Sequence, residues 1–175
     1  MAKWSLEKLN SCRGRAEAGE IEAQTFLGWA YIEGKFVEKD NNLAKEWLKR
    51  ASDQGSKEAT YRLAFLLASR KDGNGIEMLR GLSAECFAPA AYELGNYYYV
   101  GLSVERDVGA DVREWSRAAD KGHVLARIKL LKYQSLHSPF YKKPLLFLRL
   151  LWAVMFLVSI LARDLNDPRV LGSLR

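Results

Sequence analysis

"FLGWAYIEGKFVEKDNNLAKEWLKRASDQG", residues 26–55, is the stretch that decides the fold of this chain. It begins with apolar residues, is interrupted by glycine and charged residues, continues as an amphipathic segment and ends at another glycine. Apolar side chains three or four positions apart lie on one face of a helix. Gly34 and Gly55 stand where a left-handed residue would close each helix. The stretch therefore predicts two helices joined by a short loop.

The same pattern recurs along the chain. The segment "EAQTFLGWAYIEGKFVEKD" (22–40) aligns without a gap with "PAAYELGNYYYVGLSVERD" (89–107). The matched residues are Ala23, Leu27, Gly28, Tyr31, Gly34, Val37 and Asp40, which align with Ala90, Leu94, Gly95, Tyr98, Gly101, Val104 and Asp107. A weaker copy with a shorter loop lies between them. The copies begin at Ala23, Ala59, Ala90 and Ala126, with spacings of 36, 31 and 36 residues.

Each class of matched residue has a structural role in a helix pair. Ala, Leu and Tyr at i, i+4 and i+8 lie along one helical face, and the small residue after Leu lets a second helix approach closely. Asp40 and Asp107 are placed to cap the second helix. A single pair cannot bury its apolar face and must stack on neighbours. The predicted helix pairs are residues 16–33 with 42–53, 59–69 with 75–85, and 88–100 with 108–121.

The order A…LG..Y..G..V..D…W..(R/K)A…G resembles the Sel-one-like repeat, a relative of the tetratricopeptide repeat, over about residues 16–133. The resemblance implies an all-α fold, an α-solenoid with three repeats and a partial fourth over residues 1–134. The middle copy departs from the pattern, with Cys86 in a glycine position. In the third copy Glu114 aligns with Trp47, and Trp115 follows one position later.

Proteins of this family generally hold another protein in a concave groove lined by the first helix of each repeat. Aromatic residues outside the packing positions are the candidates for such contacts, because interfaces are enriched in them. The alternative is that these side chains complete the packing between repeats. The candidate partner-binding residues are Trp29, Phe65, Tyr97 and Tyr99.

The C-terminal part of the chain differs in character. A linker over residues 135–144 precedes "LLFLRLLWAVMFLVSILA" (145–162), which contains one charge, Arg149, and is followed by a polar tail over 163–175. Three interpretations are open: a helix that spans or inserts into a membrane, a helix that lies in the interface, and a helix that caps the last repeat. The apolar residues all round the segment favour the membrane-spanning interpretation. Its predicted membrane contacts are Leu145, Leu148, Leu151, Trp152, Phe156 and Ile160.

The positive charge is concentrated near this apolar segment. Residues 135–175 contain six Lys and Arg against two Asp, a net charge of +4, whereas the rest of the chain carries +2. This distribution favours a membrane surface over nucleic acid. The N-terminus has no apolar signal-peptide region, so the repeats are expected on the cytoplasmic side of a membrane, as at a bacterial inner membrane.

Residue patterns for catalysis and metal binding are absent from the sequence. The two cysteines, Cys12 and Cys86, are interpreted as reduced thiols. His123 and His137 lie outside any metal-ligand spacing, and His123 is interpreted as a solvent-exposed side chain. No enzyme, metal, cofactor or small-molecule substrate is predicted.

The predicted function is that of a protein–protein interaction adaptor, or accessory subunit, that recruits or positions a partner protein at a membrane. The alternative is an inhibitory binding protein, of the kind that confers immunity by neutralising a partner enzyme or toxin. An enzyme would need a pairing of nucleophile and base, and the sequence offers none.

Overall fold

The computed structural model describes residues 2–137 and 143–163, and every regular element within them is an α-helix. The all-α class and the repeated helix pairs are thereby confirmed. The helices are α1 Ala2–Glu17, α2 Ile21–Glu33, α3 Asn41–Asp53, α4 Lys57–Ser69, α5 Gly73–Ala84, α6 Ala88–Val100, α7 Val108–Asp120, α8 Val124–His137 and α9 Lys143–Arg163.

The chain forms two compact units, Met1–Met78 and Leu79–Arg175. In the first unit, Leu27 is fully buried in a cluster of α1 and α2 residues, and Leu48 and Leu63 pack together across α3 and α4. In the second unit, Tyr92 and Trp115 form the centre of a cluster from α6, α7 and α8. Each helix thus buries its apolar face against its neighbours, as a repeat fold requires.

Glycine and aspartate set the turn in the two stronger copies. Gly34 (φ 66°) and Gly101 (φ 74°) are left-handed, and their N–H groups donate to the carbonyl oxygens four residues earlier. The Oδ1 atoms of Asp40 and Asp107 accept hydrogen bonds from the second and third N–H groups that follow. The predicted helix ends and caps are confirmed.

The first predicted helix, residues 16–33, is wrong as a single element. It is divided between α1 and α2 because Gly19 adopts φ 95° and its N–H donates to the carbonyl of Ala16. Cys86 stands at the corresponding position, four residues before the third copy begins, and it is left-handed too, with φ 61°. The prediction that Cys86 occupies a glycine position is therefore confirmed. Its backbone is strained there, because a Cβ atom disfavours the left-handed conformation. The other helix bounds differ from the predicted ones by at most two residues.

Helix α9 packs against α8 within the second unit. Leu146 and Ala153 on one side of α9 are buried, and Leu157 contacts Val124 and Ile128. This packing of α9 on α8 agrees with the interpretation that residues 145–162 cap the last repeat. The opposite side of α9 remains exposed and apolar.

Among the described residues, no helix combines the length and apolar character needed to cross a membrane. The predicted membrane-spanning helix is therefore unsupported. Five of its predicted contacts, Leu145, Leu148, Leu151, Trp152 and Phe156, are exposed. The side chain of Ile160 and the tail from residue 164 lie outside the described part, as do residues 138–142 of the predicted linker, whose first residues instead belong to α8.

Candidate protein-binding cleft

A glycine brings α6 and α7 close together and places a tryptophan between them. A Cβ atom on Gly95 would lie 2.6 Å from Cδ1 of Trp115, so only glycine leaves room for the indole ring. Gly28 plays the same part in the first unit, where an added Cβ would lie 2.4 Å from Cγ of Leu48. The predicted close approach at the small residue is confirmed. Trp115 occupies the Leu48 position and is only 1% exposed.

Trp115 is part of a cluster of aromatic rings and cations. Its ring lies 5.4 Å from that of Tyr99. Nζ of Lys129, on α8, lies 5.3 Å from the Trp115 ring centroid and 5.4 Å from that of Tyr99. The guanidinium carbon of Arg106 lies 5.9 Å from the Tyr99 ring. Cations at such distances are attracted to the ring faces, so Lys129 is attracted to both rings.

Burial affects the charge of Lys129. Desolvation lowers the pKa of this amine, Glu93 opposes the shift, and the neighbouring Lys132 adds to it. Glu93 is itself affected by burial, which raises the pKa of its carboxyl group. Because Lys129 has already lost part of its hydration in the free protein, the further desolvation cost is smaller when a ligand carboxylate binds to it.

The side chains of Tyr99, Trp115, Lys129 and Arg106 border a cavity of about 510 Å³, here called the cleft. Three of its lining residues are cations, on the α6–α7 loop and on α8, and one is a carboxylate, on α7. The lining residues are Tyr99, Arg106, Val108, Asp111, Trp115, Ile128, Lys129, Lys132, Tyr133, Leu136 and His137.

Asp111 is the carboxylate in this lining, and it is fully buried. Its Oδ1 atom accepts a hydrogen bond from the backbone N–H of Val112 at 2.5 Å. Its Oδ2 atom has no hydrogen-bond partner within the described part of the chain. Burial raises the pKa of the Asp111 carboxyl group. The cleft therefore offers aromatic surface and three cations, which suit a peptide segment with an acidic side chain.

The four aromatic residues predicted to bind a partner lie in different settings. Tyr99 is 44% exposed and lines the cleft. Tyr97 is only 6% exposed, and burial raises its pKa to about 12, so its ring belongs to the packed interior. In the first unit Trp29 and Phe65 are half-buried, and Nζ of Lys35 lies 5.1 Å from the Trp29 ring. Their role in partner binding stays a prediction.

Sequence reasoning missed most of the cleft. The sequence shows Trp115 one position after the expected tryptophan, but it does not show that the ring takes the place of Leu48. Lys129, Arg106 and Asp111 belong to no recognisable motif in the sequence. The shift of the tryptophan was the signal that could have identified the site.

Glu114 aligns with Trp47, and its carboxylate is buried where an aromatic ring was expected. It accepts hydrogen bonds from Oγ of Ser83 and, at 2.9 Å, from Arg117. These donors compensate the burial of its charge.

The prediction that His123 is exposed to solvent is wrong, because the residue is only 4% exposed. Its Nδ1 atom accepts a hydrogen bond from the N–H of Ala126 at 3.2 Å, and its ring stacks on Tyr92. Ser56 has the same capping role at the start of α4. Burial lowers the pKa of His123 to about 4, so the ring is neutral near pH 7 and can accept this bond.

Within the described residues, no group of three or more His, Cys, Asp and Glu side chains is arranged to hold a metal ion.

The comparison with protein families finds a match to the Sel1 repeat at residues 21–56 and 88–110. The matched residues cover α2 with α3, and α6 with the start of α7, which are the two stronger copies. The chain contains Sel1-like repeats. The cleft therefore lies beside a recognised Sel1 repeat, and Trp115 follows the second matched segment.

Two solved structures are similar to this Sel1-like protein. One is a protective antigen of uropathogenic Escherichia coli strains that displays an SLR fold, with a TM-score of 0.63 and 26% identity over 85% of this chain. This chain spans only 33% of the length of that antigen. The other is a Sel1 repeat protein from Oxalobacter formigenes, with a TM-score of 0.55 and 25% identity over 73% of this chain and 99% of that one. Repeat proteins of this fold are typically non-catalytic scaffolds for protein–protein interaction.

Proposed function

We propose that this protein is a non-catalytic adaptor that binds an acidic segment of a partner protein in the cleft and positions that partner at a membrane surface. The observation that carries the proposal is the position of Lys129, whose Nζ lies within 5.4 Å of the ring centroids of both Tyr99 and Trp115 in the lining of the cleft. Sel1-repeat proteins generally mediate protein–protein interactions, which makes a protein segment the expected ligand.

The chemistry of the lining supports a peptide over a metabolite. Aromatic rings supply large contact areas at a low entropic cost, and Tyr99 offers such a ring with 44% of its surface exposed. The three cations in the lining favour a carboxylate side chain. A cavity of about 510 Å³ accommodates a few residues of an extended chain.

The test starts with a photo-crosslinking residue placed at Tyr99 in the full chain, so that the partner is identified by its contact with the cleft. Binding of that purified partner is then measured by calorimetry for Lys129→Gln. Loss of a charge at the centre of an interface costs about 2 kcal/mol, so affinity should fall by roughly thirtyfold.

The matched control is Arg62→Gln, which removes a cation at the position in α4 that aligns with Lys129. Arg62 pairs with Glu58 at 2.7 Å in the first unit, and its loss should leave binding unchanged. Equal losses for the two variants would contradict the cleft as the binding site. If the partner is an enzyme and its activity falls in proportion to the amount of this protein added, the protein is an inhibitor of that enzyme and not an adaptor.

A further inference from the structure

The outward side of α9 is an exposed apolar surface, here called the α9 face. Trp152 and Phe156 stack on it with parallel rings 5.7 Å apart. An exposed apolar surface of this extent marks an interaction site. Its side chains are between 39% and 63% exposed: Leu145, Phe147, Leu148, Leu151, Trp152, Val154, Met155 and Phe156, together with Val158.

The sequence that contains α8 and α9 is rich in cations and lacks anions. Residues 124–163 contain no Asp or Glu, and they contain Arg127, Lys129, Lys132, Lys142, Lys143, Arg149 and Arg163. On the side of Trp152, a cavity of about 570 Å³ lies between α8 and α9 and is lined by both Arg127 and Arg149. The guanidinium carbon of Arg127 lies 5.6 Å from the Trp152 ring. Asp120, which is exposed, is the one carboxylate in that lining.

We infer that the α9 face binds the surface of a membrane that contains anionic phospholipids, with phosphate groups between Arg127 and Arg149. The inference rests on the membrane part of the proposed function and makes no use of the cleft. Charge decides between the possible occupants. A second copy of this chain would bring the same excess of cations against itself, whereas an anionic bilayer supplies phosphates to the arginines and apolar surface to the leucines.

The packing of α9 on α8 fixes its orientation at the membrane. Because the side with Leu146 and Ala153 is buried against α8, only the opposite side is available to lipid, and the helix lies along the surface. Tryptophan side chains favour the headgroup region, where Trp152 would be placed. Arg149 is exposed at the same level and can reach the phosphates with its long side chain.

The experiment measures co-sedimentation of the full chain with vesicles of phosphatidylcholine alone and of phosphatidylcholine mixed with phosphatidylglycerol. Binding should be strong only to the mixed vesicles and should weaken as salt is added. Each cation near the surface contributes about fivefold in affinity, so Arg127→Gln with Arg149→Gln should weaken binding by roughly 25-fold. Leu151→Gln with Met155→Gln should weaken it by more than about tenfold.

The matched control is Lys45→Gln with Lys49→Gln on α3, where two exposed cations are removed from the first unit. This variant should bind like the unmodified chain, and circular dichroism should show all variants folded. Equal binding to both vesicle types would overturn the inference, as would indifference to the two arginines. Self-association in sedimentation velocity that Leu151→Gln with Met155→Gln abolishes would also overturn it, by identifying a second copy as the occupant.

Tyr99→Ala separates this inference from the cleft. It should lose the protein partner while retaining its affinity for vesicles. If vesicle binding fails and the partner still binds the cleft, the lipid inference alone is wrong.

Discussion

The helices α2, α3 and α4 of the first unit and α6, α7 and α8 of the second begin at equivalent positions, 67 residues apart. The two copies share their turns. Gly34 and Gly101 are both left-handed, and Asp40 and Asp107 both cap the helix that follows. The backbone of the helix pair is therefore the same in both.

The copies differ beside their second helix. In the first, Ala44 and Leu48 are fully buried, and Ala44 packs with Tyr31 and Leu66 in an apolar cluster. In the second, Asp111 takes the position of Ala44 and is buried too, but it is a carboxylate and it lines the cleft.

The cations of the two copies differ in the same way. Arg62 on α4 pairs with Glu58 of its own helix, whereas Lys129 lies within 5.4 Å of the ring centroids of both Tyr99 and Trp115. A repeat can thus keep its turns while a few side chains change the packing beside its second helix.

The largest expected effect is at the tryptophan that distinguishes the second copy. Trp115→Ala should lower the free energy of unfolding by about 3–5 kcal/mol, because the cavity left beside Gly95 cannot collapse fully. Leu48→Ala, at the same position in the first copy, should cost about 2–5 kcal/mol. Urea denaturation followed by circular dichroism measures both losses. Fluorescence is less suitable, because Trp115→Ala removes a fluorophore. A loss below about 1 kcal/mol for Trp115→Ala would show that the ring is not a packing element.

A smaller effect is expected at the glycine that faces this ring. Gly95→Ala should destabilise by about 1–3 kcal/mol, because its Cβ has to displace the Trp115 ring. The control is Gly81→Ala in α5, where an added Cβ meets no described atom within 4 Å apart from its chain neighbours and the nearby backbone of its own helix. That change should instead stabilise by about 0.5–1 kcal/mol, because alanine favours the helix. Effects of the same sign in both variants would contradict the close approach of α6 and α7.

The smallest effect is expected when the second copy receives a first-copy residue. Asp111→Ala should raise the free energy of unfolding by about 1 kcal/mol at neutral pH, because it removes a buried carboxylate with an unmatched oxygen. The folded-state pKa of Asp111 is raised above its usual 3.8, so ionisation of this group opposes folding. The unmodified chain therefore regains stability as the pH falls through the folded-state pKa towards 3.8, and the advantage of the variant should shrink.

Thermal unfolding of both proteins between neutral and acidic pH measures this difference. An advantage that grows on acidification would contradict the burial of the ionised form.

The sequence by itself determined the helix pairs and their turns. Glycine is tolerated where φ is positive, and aspartate caps a helix through contacts with residues two and three positions away, so both signals are local. The same reasoning placed Cys86 in a left-handed position. It failed at Gly19, where the alternation of alanine and glutamate around the glycine is as compatible with a continued helix as with a break.

Only the tertiary structure decided what those helices present to a partner. Lys129 becomes a candidate binding residue because α8 brings it against rings of α6 and α7, and His123 is buried because Tyr92 stacks on it. The packing of α9 on α8 likewise determines which side of an apolar helix remains exposed. These properties depend on contacts between residues far apart in the chain, and the spacing of residues within one helix carries no record of them.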